Sequence, residues 1–165
     1  MVHSIPTVAP PSLFVIFGAG GDLTKRKLLP ALCNLNKQGL LSKDFAVVGI
    51  VHRSHTHESY RDYMEQELTT LMGDGFDLEH WNEFKNRIYA HQLDFTDKEG
   101  YHGLKDELFT IDSKHSKSGN YLFYLATPPS FYEKITDNLK YAGLSDESKK
   151  QWRRIIIEKP FGHDL

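Results

Sequence analysis

Five short stretches carry most of the chemical content of this sequence: GAGGD (Gly18–Asp22) with the basic triplet Lys25, Arg26 and Lys27 behind it; HRS (His52–Ser54); DFTD (Asp94–Asp97); ATPP (Ala126–Pro129); and EKPFG (Glu158–Gly162). Glycines let backbone amides approach a phosphate without an intervening Cβ, and the start of a following helix adds a favourable dipole. Gly18 and Gly20 fit the first two positions of G-x-G-x-x-G, but Leu23 stands at the third. Asp22 is expected to help set this turn. Basic residues near a helix start oppose the macrodipole, unless an anion such as a cofactor or substrate phosphate lies beside them. The bland alternatives are a glycine-rich loop without a ligand and a solvated basic helix face.

These stretches need a scaffold, and the flanking residues describe one. SLFVIFG (Ser12–Gly18), FAVVGIV (Phe45–Val51), RIYAHQLD (Arg87–Asp94), YLFYLA (Tyr121–Ala126) and RRIIIEKPFG (Arg153–Gly162) read as strands. Between them run helical stripes. Leu28, Leu32 and Leu35 end at Gly39 as a C-cap, with a tight turn expected over Asp22–Arg26 and Pro30 in the first helical turn. Tyr60, Met64, Leu68 and Leu71 form the next stripe, and Trp81 and Phe84 mark a further helix. A helix is expected around Lys98–Phe109, a polar loop over Ser113–Asn120, and a last stripe at Phe131, Ile135, Leu139 and Tyr141. Alternating strands and helices imply an α/β fold: a doubly wound (Rossmann-like), mostly parallel sheet with helices on both faces. Strands that are unbroken apolar runs suit a sheet covered on both sides. Ligands of such sheets gather at the carboxyl ends of the strands, and all five stretches sit at such ends.

The end of the second strand bears on the choice of dinucleotide. An NAD site usually places Asp or Glu there for the ribose 2′-hydroxyl. This chain has His52, Arg53 and Ser54, with no acid before Glu58. An arginine fork suits a 2′-phosphate, so NADP is the expected cofactor and Arg53 its main ligand there. At the far end, an ammonium on Lys159 can donate to a sugar oxygen while Pro160 restricts the backbone beside it. An ordinary strand exit is the alternative.

Taken together, GAGGDLTKRKLLPAL and EKPFGHDL resemble the N-terminal domain of the glucose-6-phosphate dehydrogenase family. That family's turn is G-x-x-G-D-L-x-x-x-K, met here by Gly18, Gly21, Asp22, Leu23 and Lys27. FYLATPPSFYE (Phe123–Glu133) and LDFTD (Leu93–Asp97) look like its intermediate motifs, and the resemblance spans 12–165 after a loose lead-in over 1–11. It implies hydride transfer from C1 of glucose 6-phosphate to NADP. It also implies a pyrophosphate cradle from Gly18, Ala19, Gly20, Gly21, Asp22, Leu23, Thr24 and Lys25, with Asp94, Phe95 and Tyr132 in the cofactor pocket. Lys159 would contact the substrate beside the nicotinamide, and Lys27 would orient Lys159 or the substrate. Two departures stand out. The family's arginine falls three residues after the strand-two glycine, where this chain has His52, with Arg53 one later; either the loop holds an extra residue or Arg53 approaches in a shifted register. The family's R-I-D-H-Y-L-G-K-E motif, with its catalytic histidine, does not occur in this sequence. The chain therefore reads as a dinucleotide-binding domain truncated before the catalytic and substrate domain. No residue in it is assigned as the general base, negligible activity is expected from it alone, and the family's homo-oligomer interface is expected outside it. A non-catalytic NADP-sensing regulatory module is the competing reading.

Bulk properties agree with an ordinary globular domain. The chain has 165 residues with a formal net charge of −2, 39% hydrophobic and 25% charged. Nothing suggests a nucleic-acid surface, and no run approaches the roughly 18 apolar residues of a membrane span. The single Cys33 cannot form an internal disulfide, which suits a reducing cytoplasm and a packed thiol. HRSHTH places His52, His55 and His57 close together, but zinc needs three or four convergent ligands, so solvated histidines and no metal are expected. YHGLK (Tyr101–Lys105) matches a catalytic Y-x-x-x-K pair only by helical spacing, and His163 is not taken as a substitute base.

Overall fold

A computed structural model describes residues 7–159. Each apolar run forms a strand: β1 (Leu13–Phe17), β2 (Ala46–Val51), β3 (Ile88–Gln92), β4 (Tyr121–Leu125) and β5 (Arg153–Ile157). All pair in parallel in the order β3-β2-β1-β4-β5. Phe17 at the end of β1 lies opposite Ile50 on one side and Leu125 on the other. The chain winds from the centre to one edge, crosses back, and winds to the other. The direction reverses between β1 and β4, where a crevice opens beyond the strand ends.

The helices are α1 (Leu29–Lys37), α2 (His57–Met72), α3 (Leu78–Phe84), α4 (Gly100–Lys114) and α5 (Tyr132–Tyr141). Strand alternation sends Leu13, Val15 and Phe17 to one face and Phe14 and Ile16 to the other. The first set packs under α4 and α5 through Leu104, Leu108, Ile135 and Leu139. The second packs under α1, α2 and α3 through Leu29, Met64, Leu68 and Trp81. Both faces are covered, as the apolar runs of β1, β2 and β4 require.

Several details differ from the sequence reading. Helical backbone already begins at Asp22, where a turn was expected, and Thr24–Leu28 form a wide π turn that runs into α1. The Leu29 amide donates to the Thr24 carbonyl, and Pro30, which follows, has no amide hydrogen to continue a normal ladder. Gly39 closes α1 at φ +72° as expected, with Leu40 donating back to the Leu35 carbonyl. Leu71 and Tyr141 are exposed and not in the core. Leu71 lies in the last turn of α2, where the chain leaves the sheet, and the Tyr141 hydroxyl instead donates to Glu99. Helix α4 runs on to Lys114, into the expected loop, and the Asp112 carboxylate then gathers that loop by accepting from the Gly119 amide. Ala9, within the expected lead-in, bridges to Leu41. β5 is the strand read as centred on three isoleucines, and Ile155, Ile156 and Ile157 are 37%, 38% and 49% exposed. It is the edge strand, and neither core cluster includes it. Gly162 and the rest of EKPFG beyond Lys159 lie outside the described residues.

Candidate functional site

A cleft of about 670 Å³ occupies the crevice between the β1 and β4 loops. Gly18, Gly20 and Gly21 line it from β1, and Ala126, Thr127, Pro128 and Phe131 face them from β4. Gly18 has φ +88°, and a Cβ there would stand 2.3 Å from the Ala126 carbonyl oxygen, so only glycine fits. Gly20 has open space around it. The turn is tied down from below. The Ala19 amide donates to the Ile50 carbonyl at 3.1 Å, and the Gly21 amide to the Gly18 carbonyl at 3.0 Å. Thr24, fully buried, donates its hydroxyl to the same Gly18 carbonyl at 3.1 Å. Among the described residues the Asp22 carboxylate makes no hydrogen bond, so Thr24 is the side chain that sets the turn.

Two further supports had no signal in the sequence beyond a helical stripe. The Tyr60 hydroxyl on α2 donates to the Ala19 carbonyl at 2.9 Å, and burial pushes its phenol far above the usual range, so it stays a donor. Gly49 makes room for this contact, since a Cβ there would meet Tyr60 Oη at 2.9 Å and the Ala19 Cβ at 2.8 Å.

The far wall of the cleft is the loop after β2, with His52, Arg53, Ser54 and His55. The His52 carbonyl accepts from Gln92 on β3 at 3.1 Å, and its ring lies 4.4 Å from that of Phe95. Phe95 is placed by the LDFTD turn. The Asp94 carboxylate accepts from the Thr96 amide and hydroxyl, both at 2.8 Å, and those bonds hold it below the usual carboxylate range. Lys25 reaches the cleft from the π turn. Its ammonium pairs with Glu67 at 3.3 Å and sits 5.1 Å from the Tyr63 ring; Tyr63 first, then Glu67, raise its pKa against an opposing effect of partial burial.

The chain matches the family model described as "Glucose-6-phosphate dehydrogenase, NAD binding domain" over residues 15–165. It belongs to that family. The glucose-6-phosphate 1-dehydrogenase of Chlamydia pneumoniae is 43% identical over 97% of this chain, and that of Bacillus subtilis 37% identical over 94%. The chain covers 32% and 30% of their lengths. Among solved structures, a glucose-6-phosphate dehydrogenase in complex with glucose 6-phosphate superposes with a TM-score of 0.77 at 31% identity, over 98% of this chain and 33% of that one.

Of the cofactor residues expected from the sequence, Gly18, Gly20, Gly21, Lys25, Arg53 and Phe95 line the cleft. Ala19 and Thr24 are buried beneath it. Asp22, Leu23, Asp94 and Tyr132 are not in its lining, and the position beside Phe95 and Pro128 is taken by Phe131. The Tyr132 hydroxyl donates to the Glu158 carbonyl at 3.4 Å, and Tyr124 donates to the Glu158 carboxylate. These bonds fix the chain just before the exposed Lys159. Lys27 is also exposed, and among the described residues neither lysine forms an ion pair. His52, His55 and His57 do not converge; among the described residues no three His, Cys, Asp or Glu side chains form a metal-binding group. Cys33 is half-buried beside a small cavity, and burial pushes its thiol up to about 12, which leaves it an inert packing group.

Proposed function

We propose that this chain holds the dinucleotide of an NADP-dependent glucose-6-phosphate 1-dehydrogenase of the cytoplasm, whose reaction moves a hydride from C1 of glucose 6-phosphate to NADP. The observation that carries the NADP assignment is the cleft wall after β2: Arg53 stands there, and no carboxylate is among the lining residues. A ribose 2′-hydroxyl would leave that guanidinium unmatched, whereas a 2′-phosphate meets it with a bidentate, charge-assisted pair. The glycine floor suits the pyrophosphate, because Gly20 leaves the space above the turn open. Lys27 and Lys159 are assigned to the sugar phosphate, and the tyrosine contacts to Glu158 support Lys159 as a positioned donor.

The sequence holds no R-I-D-H-Y-L-G-K-E motif, and the chain spans about a third of the length of its relatives. The assignment is therefore cofactor binding without the general-base step, a step whose assistance is typically worth about 10²–10⁴-fold. Calorimetric titration tests the cofactor assignment. NADP is expected to bind more tightly than NAD, and Arg53→Ala to weaken NADP by about tenfold, the worth of one charge-assisted contact. An unchanged NADP affinity in Arg53→Ala would overturn it. Mixing the chain with NADP and glucose 6-phosphate is expected to give no rise in NADPH absorbance.

A further inference from the structure

The three histidines of HRSHTH have separate fates. His57 turns to the sheet edge, where its Nδ1 accepts from the Ala90 amide at 3.1 Å and its Nε2 lies 3.3 Å from Glu107. His52 lies on Phe95. His55 is half-buried and lines the same cleft as Arg53.

The His55 ring is held on two sides. Its centroid is 5.9 Å from that of Tyr60, edge-on, and 5.6 Å from that of Tyr63. Its Nδ1 is 3.1 Å from the Ser59 hydroxyl. That hydroxyl is itself fixed by the capping box of α2, accepting from the Thr56 amide at 2.9 Å. The Ser59 hydroxyl proton has two acceptors in reach, His55 Nδ1 at 3.1 Å and the Thr56 carbonyl at 3.3 Å. Donation to the nearer Nδ1 puts the ring proton on Nε2, so that the imidazole presents an N–H donor, anchored by the same helix that anchors the glycine turn through Tyr60.

We propose that His55 is a second ligand, beside Arg53, for a phosphate monoester on the ribose of the dinucleotide. This rests on reading the cleft as an NADP site. The chemistry favours a phosphate over a hydroxyl. The lining offers Arg53, His55 and Lys25 as N–H donors, and only Lys25 has a carboxylate partner among the described residues. Two donors from one loop, one of them bonded to a serine, match an anion with several acceptor oxygens.

The test uses the 165-residue chain and calorimetric titration with NADP, NAD and 2′,5′-ADP, which carries the ribose phosphate without nicotinamide. His55→Phe keeps the ring against Tyr60 and Tyr63 but has no donor; His55→Gln keeps a donor. The ratio of NADP to NAD affinity should fall about tenfold in His55→Phe, with a matching loss for 2′,5′-ADP, and stay within about threefold in His55→Gln. A wild-type chain without NADP preference overturns the NADP reading and this proposal with it. A wild type that prefers NADP, with His55→Phe leaving the ratio unchanged or weakening both dinucleotides equally, overturns the role of His55 alone.

Discussion

A Cβ on Gly18 would need both a left-handed backbone and space already held by the Ala126 carbonyl. Gly18→Ala should therefore destabilise the fold by about 2 kcal/mol or more, read from urea unfolding. Gly20, two residues on, has no such neighbour. Gly20→Ala should unfold within about 0.5 kcal/mol of the wild type while weakening NADP, because its methyl group enters the cleft. The sequence shows both glycines and ranks them equally; only the close approach of β4 separates them. Asp22 and Thr24 make the same point. The family pattern draws attention to the acid, but the buried hydroxyl holds the turn. Half-buried histidines give the pH dependence. Burial lowers the pKa of His91 and of His115, so each takes up its proton more readily in the unfolded chain than in the folded one. Their effect is absent above the unfolded histidine value of about 6.5 and grows as pH falls through it toward the lower folded values. The free energy of unfolding should drop between pH 7.5 and 5.5, and His91→Gln should flatten that drop.

At the level of elements, α2 has two roles that its apolar stripe does not reveal. Its inner face carries Tyr60 to the glycine turn. Its first two turns also seal the edge of the sheet, since His57 accepts from the Ala90 amide and Arg61 donates to the Ile88 carbonyl at 2.7 Å. These are alternate residues of β3, whose outer side has no strand neighbour. Residues four apart on a helix thus meet backbone groups two apart on a strand. Arg61→Met keeps the aliphatic stem and removes the donor, and should cost about 1 kcal/mol in thermal or urea unfolding. The strands and their succession along the chain were legible because each strand is an apolar run that ends in unusual residues. The π turn was not, because basic residues and a proline read equally well as a turn before a helix. Nor was the edge seal, because a histidine and an arginine on a helix look solvated until the strand beside them is known.

For the molecule as a whole, the informative strand is β5. The isoleucine run of RRIII resembles the buried strands in composition, but burial depends on what lies opposite. Here Ile155, Ile156 and Ile157 face outward on both sides of an edge strand. Exposed, flat apolar edges recruit partners. The sedimentation coefficient of the chain should rise with concentration, and Ile156→Lys should suppress that rise while leaving NADP affinity intact. The two margins of the sheet thus differ in kind. One is engaged by its own helix, with the Ala90 amide and the Ile88 carbonyl already bonded. The other is raw. A sheet of this sort can grow in one direction only, so any strand added to it, by whatever chain, has a single berth beside β5. That berth adjoins the Glu158–Lys159 exit, so whatever docks there becomes a neighbour of the lysine to which the sugar phosphate is assigned.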